Sequence, residues 1–382
     1  MKPKSALLPI LLTLFALLAV MTSCGENPAP DISTPRPPEI PETGLYIGAI
    51  LLEGQTTIAK FNSDMGYKHA IFGEFLNFPD VLTASNDEHR KITDFIKACQ
   101  AARAIPMLTL ETPGGLDSYT AAQVTAFADM LSEFDVAVLL RWNHEMNGSW
   151  YAWGQQPTLY ISRYREFANV VHQRAPNVAM LWTPNQGWGY PWAGGAYSIS
   201  PASPDYSLLD TNGDGALTEA DDPYGPYYPG DTYVDWVGHS FYHWTSDAVR
   251  GRNQIPYDTK WGQANGIGNA IPNFHDIFAV GHNKPMIVAE TAALYDPLDT
   301  KGGGEGEADI KKMWIRQVYN LDDAKNPTIP AAFPRLRAIV WFNELKYESE
   351  VNGNVDWRLN SNPDVLDYYK RIIGDPYFIK AP

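Results

Sequence analysis

Two glutamates stand where proton and electron-pair transfer can be run. Glu145 follows the apolar run Val136–Trp142 within RWNHEMNGSW, and Glu290 follows Pro285–Ala289 within PMIVAETAALY. A single glutamate after a strand is usually a solvated loop residue. Two of them, each in a segment too apolar for a casual surface charge, make a pair. Paired carboxyl groups suit cleavage of an acetal: one acid protonates the leaving oxygen while a carboxylate attacks, or activates water, on the other face. The acid must be protonated at rest, which calls for an apolar wall or a neighbouring anion. Trp142, Met146 and Trp150 can supply that wall.

The elements that must position this pair are legible as alternation. Strand candidates are 46–51, 70–75, 104–110, 136–142, 178–183, 236–242, 285–289 and 338–343. Helical patterns lie between most of them, most clearly over 87–103, 121–134, 159–174, 306–321 and 363–373. Alternation implies parallel strands with crossover helices, and eight units in one domain favour a closed (β/α)₈ barrel over an open sheet. No glycine-rich phosphate loop follows the first strand, which argues against dinucleotide binding. In a barrel of this kind the site lies at the C-terminal strand ends. Those ends carry Glu111, then Asn143, His144 and Glu145, then Tyr242, then Glu290, then Trp341 to Glu344. Carboxylates, amides and aromatic rings would meet at one mouth.

The segment Arg141–Gly154, RWNHEMNGSWYAWG, resembles the acid/base signature of glycoside hydrolase family 26. Pro285–Tyr295 is similar to that family's nucleophile strand, Tyr228–Trp244 to its sixth strand, and VDWRLNSNPDVLDYYK to its closing helix. The resemblance spans the catalytic domain and implies a retaining endo-acting hydrolase of β-linked polysaccharide, with β-mannan or mixed-linkage β-glucan as substrate. It implies Glu145 as general acid/base and Glu290 as nucleophile. His144 would bind substrate near the cleavage point, Trp150 would stack a sugar on the leaving-group side, Tyr242 would orient Glu290, and Trp341 would form a platform under the attacked sugar. Asn143, Trp153 and Trp188 are further cleft candidates. Mannanases of the family commonly carry histidine at the end of the third strand. This chain offers Glu111 there, as a ligand for a sugar hydroxyl or as a loop charge, so β-glucan stays open.

A second motif lies in the long Gly/Pro-rich stretch 186–231. DTNGDGALTEAD, residues 210–221, has the spacing of a Ca²⁺ loop: Asp210, Asn212 and Asp214, a turn at Gly215, the Ala216 carbonyl, Thr218 and Asp221. The other reading is an Asx-rich turn without metal. A structural ion is expected, and no catalytic metal, since HExxH and Cys/His zinc patterns are absent.

The N-terminus reads as an address. Lys2 and Lys4 precede the apolar run Ala6–Val20, and Met21-Thr22-Ser23-Cys24 resembles a bacterial lipobox, so residues 1–24 are expected to be a lipoprotein signal with lipid on Cys24. Residues 25–43 are proline-rich and are expected to form an extended linker to a single domain over 44–382. A membrane-anchored, extracytoplasmic monomer is expected. The net charge of −15 argues against nucleic acid as a partner and suits a neutral polysaccharide. Twelve Trp and twenty-one Tyr exceed the needs of a core, and their faces suit pyranose rings. If Cys24 is lipidated, Cys99 is left alone, at helical spacing with Ile92, Phe95 and Ile96, as a core residue. A rival from another class is a glycan-capturing lipoprotein on a barrel that has lost turnover. A barrel with unrelated chemistry lacks a phosphate loop, a metal triad or a lysine after a strand.

Overall fold

A computed structural model describes residues 36–51, 54–245, 250–323, 325 and 327–382. The expected signal, Cys24 and most of the linker lie outside these residues; 36–43 carry no regular secondary structure. The strands β1 Leu45–Ile50, β2 Ile71–Asn77, β3 Ile105–Glu111, β4 Val138–Trp142, β5 Val178–Trp182, β6 Trp236–Ser240, β7 Met286–Thr291 and β8 Leu336–Phe342 pair in sequence order. All these pairings are parallel, and β1 pairs with both β2 and β8, so the sheet closes. The closing register runs from Tyr46 opposite Ala338 to Ile50 opposite Phe342. All eight strands fall where the apolar runs predict them, within about two residues at each end.

The major outer helices are α1 Ile58–Met65, α2 Asp87–Ala102, α3 Ala121–Ser132, α4 Pro157–Arg174, α5 Tyr206–Leu209, α6 Lys260–Ala264, α7 Glu307–Val318, α8 Ile329–Ala332 and α9 Pro363–Ile373. The starts of α1, α2, α3 and α9 follow from side-chain caps. The Asn86 side chain accepts from Glu88 N–H at the head of α2, and Thr120 and Gln123 form a reciprocal capping box at α3. On α2 the buried stripe is Ile92, Ile96 and Cys99, and burial pushes the Cys99 thiol up, so it is inert core. After β8 the chain adds a hairpin the periodicity does not reveal, β9 Leu345–Glu348 with β10 Gly353–Asp356. Two-residue β11, Phe378–Ile379, pairs with β1. No helix among the described residues is long and apolar enough to cross a membrane.

Two register shifts matter for the site. Along β6 and β7, His239 pairs with Val288 but Ser240 pairs with Glu290; along β7 and β8, Val288 pairs with Ile339 but Thr291 with Trp341. An extra residue in a strand re-aims the side chains beyond it. Here it brings Glu290 level with Ser240 at the C-terminal mouth.

Candidate active site

Glu145 and Glu290 arrive at the mouth by different local devices. Beyond β4 the backbone leaves the strand conformation: Asn143 has φ 43° and Glu145 φ 54°, both left-handed and uncommon for side chains of this kind. The kink is held from both sides. Asn143 N–H donates to Leu110 O, Glu145 N–H donates to Thr183 O at 2.8 Å, and Asn143 Oδ1 accepts from Thr112 N–H at 2.9 Å. Glu290 needs no such kink, because the β7 bulge already turns it inward.

The two carboxylates and His144 each place a donor atom within 4.8 Å of the other two. Their partners differ. Glu290 accepts from Arg141 Nη1 on one oxygen and from the Tyr242 hydroxyl on the other. Arg141 is fully buried and also donates from Nε to Thr183 Oγ1 and from Nη2 to Ser240 Oγ, each at 2.6 Å. A guanidinium so fixed keeps a permanent positive charge beside Glu290. Glu145 accepts from Trp150 Nε1 at 3.0 Å. Burial, and next the Glu290 charge, raise Glu145 to about 7. One carboxyl is therefore braced by a cation and a hydroxyl, while its neighbour holds a proton near neutrality. With Arg141 and Tyr242 already on Glu290, the His144–Glu145–Glu290 cluster is poorly disposed to hold a metal ion, which needs those lone pairs.

His144 is buried beneath the pair among Phe75, Tyr151 and Trp153. Burial lowers its pKa well below the ordinary value, so it is a neutral imidazole. Its Nδ1 lies 3.9 Å from Glu111 Oε1. Glu111 and Glu344 stand at the ends of β3 and β8. Burial raises each to about 7, and the Glu290 charge adds to both.

A cavity of about 830 Å³ opens beside Glu145, lined by Trp150, Tyr151, Trp188, Trp192, Tyr242 and Trp244 among others. Of the sequence candidates, the mouth thus gathers Glu145, Glu290, His144, Trp150, Tyr242, Glu111 and Trp188. Three others are corrected. Trp341 is fully buried and cannot offer a face to a sugar. It pairs with Thr291, whose hydroxyl accepts from Trp314 Nε1 on α7, so this side of the pleat faces the helices; its own Nε1 donates to Trp357 O. The next residue, Phe342, points to the opposite side of the pleat and meets Phe75 and Tyr242 at the mouth. Trp153 is buried, stacked on Tyr151 at 4.5 Å, and donates to His144 O at 2.7 Å. Asn143 is buried and tied to Thr112. Trp153 and Asn143 shape the acid's loop and do not line the cavity.

Sequence reading missed Arg141, Ser240, Tyr151 and Trp192 as site residues. Arg141 carried a signal, a cation inside an otherwise apolar strand, which must find a buried anion. Trp192 carried none, because only folding brings the insertion against the acid's loop.

In the 210–221 loop, Asp210 accepts from Asp214 and Gly215 N–H, Asn212 Oδ1 from Asp214 N–H, and Asp214 Oδ1 from Ala216 N–H. Buried Asp221 accepts from Thr211, Asn212 and Thr218 N–H. Gly215 has φ 89°, the left-handed turn the motif requires. Among the described residues, the loop's carboxylates do not converge as a trio within 4.8 Å.

Residues 113–193 match the family model described as Glycosyl hydrolase family 26. Endoglucanase H of Acetivibrio thermocellus is 24% identical over 351 residues, covering 87% of this chain and 31% of that protein. Beta-1,3-xylanase TXYA of a Vibrio species is 22% identical over 277 residues, covering 68% of this chain and 48% of that protein. The chain therefore spans about a third and about half of the length of these curated relatives. Among solved structures, GH26C from Muricauda sp. MAR_2010_75 is similar with TM-score 0.57 and 12% identity, covering 89% of this chain and 88% of that one. The catalytic domain of the Bacillus sp. JAMB-750 GH26 endo-beta-1,4-mannanase is similar with TM-score 0.53 and 17% identity, covering 88% of each chain. At these identities the structural likeness speaks to the fold.

Proposed function

We propose, from the match of residues 113–193 to the glycosyl hydrolase family 26 model, that this chain belongs to that family and is a retaining endo-β-glycanase working by double displacement. The observation that carries the reading is the asymmetric pair: Glu290 braced by Arg141 and Tyr242, and Glu145 within 4.8 Å of it, raised to about 7. That approach suits direct attack, for which carboxyl groups stand about 5–5.5 Å apart; an interposed water needs about 6.5–9.5 Å.

In the first step Glu290 attacks the anomeric carbon, the glycosidic C–O bond breaks, and the Glu145 proton goes to the departing oxygen. Arg141 and Tyr242 hold the attacking carboxylate in place, so little reorganisation is needed at the moment of attack. In the second step Glu145, now a carboxylate steadied by Trp150 Nε1, takes a proton from water. The water oxygen attacks the anomeric carbon and Glu290 leaves. Two inversions keep the β configuration.

The substrate is a neutral β-linked polysaccharide. Mixed-linkage β-glucan is the first candidate, because the relative aligned over 87% of this chain is named an endoglucanase, and Glu111 stands where histidine is expected for mannan. β-Mannan is the second. Lipid on Cys24 would hold the enzyme at a membrane surface, and Ca²⁺ at Asp210, Asn212, Asp214, Ala216 O, Thr218 and Asp221 would fix the insertion.

Proton NMR of early products from barley β-glucan and from mannan tests the chemistry. The first-formed reducing ends should be β. Glu290→Ala should abolish turnover, and azide added to Glu145→Ala should yield a β-glycosyl azide from an activated aryl glycoside. An α product overturns the roles. Tight glycan binding with no product at all would favour the glycan-capturing alternative.

A further inference from the structure

The mouth is lopsided. The cavity of about 830 Å³ has Glu145 in its lining but not Glu290. A proton donor faces the group that departs, so the cavity lies on the leaving-group side. Four indoles border it, and three of them, Trp150, Trp188 and Trp192, come from the acid's loop and the insertion fastened to it. Trp150 is held against Glu145 by its N–H. Trp192 meets Trp150 edge to face, with centroids 5.1 Å apart at 72°. Trp188 is 39% exposed, a large apolar ring left open to solvent.

The insertion that carries Trp188 and Trp192 is fastened to the acid's own loop. Ser149 Oγ donates to Trp192 O at 2.6 Å, and Gln155 Nε2 donates to Pro191 O at 2.8 Å. Tyr224 OH accepts from Gly187 N–H at 2.7 Å. Gly148 keeps this corner open, since a Cβ there would sit 2.4 Å from the Trp150 ring. A lone exposed tryptophan means little. Three from two loops, bound together around one cavity beside an acid, are a pre-formed apolar wall with polar groups at its foot.

We propose that Trp188 and Trp192 form a binding site for the leaving-group part of a β-linked glycan, one pyranose beyond the sugar that Trp150 flanks. The inference rests on the hydrolytic reading for its direction, and extends it. The C–H faces of a pyranose pack on indole as other apolar groups do. Once the first product has left, the same wall can hold a second sugar. A hydroxyl oxygen of that sugar attacks the anomeric carbon of the glycosyl–Glu290 ester, the bond to Glu290 breaks, and the hydroxyl proton passes to Glu145. The wall thus governs how often the intermediate is transferred to sugar instead of water.

The test uses the full chain and two readouts. The first is the ratio of kcat/KM on barley β-glucan to that on a 4-nitrophenyl β-oligoglucoside, together with the transfer-to-hydrolysis ratio with added cellobiose. Trp188→Ala should lower the kcat/KM ratio about tenfold and lower the transfer ratio, and Trp188→Phe should restore most of both. The second is calorimetric binding of cellotetraose and mannotetraose to Glu290→Ala, with and without Trp188→Ala; the added change should weaken binding of the preferred sugar about tenfold. Wild-type ratios in Trp188→Ala, with hydrolysis intact, overturn the site and leave the hydrolytic reading standing. No hydrolysis of any glycan, with Trp188-dependent binding, does the reverse. Binding indifferent to Trp188 in a chain that hydrolyses nothing removes both.

Discussion

Glu145→Gln should stabilise the protein at alkaline pH and do little in acid. Burial and the Glu290 charge raise the Glu145 carboxyl from the ordinary 4.5 to about 7. The folded state therefore keeps a proton that the unfolded chain has released. With more protons bound in the folded state, stability falls as pH climbs from about 4.5 to about 7, and the full cost persists above that window. At about 1.36 kcal/mol for each tenfold change in proton affinity, the rise corresponds to roughly 3 kcal/mol at pH 8.5 and to less than about 1 kcal/mol at pH 5. Glutamine cannot ionise, has nearly the same shape, and its amide oxygen can still accept from Trp150 Nε1. Its advantage should grow by about 2–3 kcal/mol between pH 5 and pH 8.5. At about 2 cal/mol/K of unfolding entropy per residue over roughly 340 residues, that is an extra 3–4 °C in Tm. Urea unfolding of both proteins at the two pH values, with thermal melts alongside, measures the difference of differences. An equal effect of the substitution at both values would refute the raised proton affinity, and with it the claim that Glu145 rests as an acid.

Three further outcomes follow from other parts of the structure. Arg141→Met should cost about 3–5 kcal/mol of stability and most of the activity, because it strands the buried Glu290 carboxylate; Arg141→Lys should recover only part of this, since ammonium cannot serve Thr183, Ser240 and Glu290 together, as denaturation and kinetics will show. Chelation should lower Tm and raise KM on polysaccharide, since residues 210–221 lead through Pro223 and Tyr224 to Asn147 and Gly187; Asp210→Ala with Asp214→Ala should abolish the Tm response, and a wild-type Tm indifferent to chelator and added Ca²⁺ removes the ion. The secreted protein should partition with membranes and Cys24→Ala should release it; a wholly soluble wild type defeats the lipid anchor.

The sequence alone settled whatever depends on periodicity and local chemistry. Eight apolar runs separated by helical patterns favour a closed parallel barrel over an open sheet, and a barrel's C-terminal rim told where to look for chemistry. That rim singled out Glu145 and Glu290 because a charge directly after an apolar strand is conspicuous one residue at a time. Capping residues such as Asn86 and Thr120 likewise mark helix starts without help from the fold. What the sequence could not settle is which way a side chain points once register and pleat are fixed. Trp341 and Phe342 are adjacent aromatic residues at the end of one strand; alternation across the sheet sends Trp341 to the helices and Phe342 to the mouth. Nor could it show pairings between distant segments. Arg141 finds Glu290 across 149 positions, and Trp192 reaches the acid's loop from an insertion with no periodic pattern of its own. Such contacts exist only after the barrel closes, because sheet register, bulges and loop anchoring set the last few ångströms, and catalysis depends on those distances.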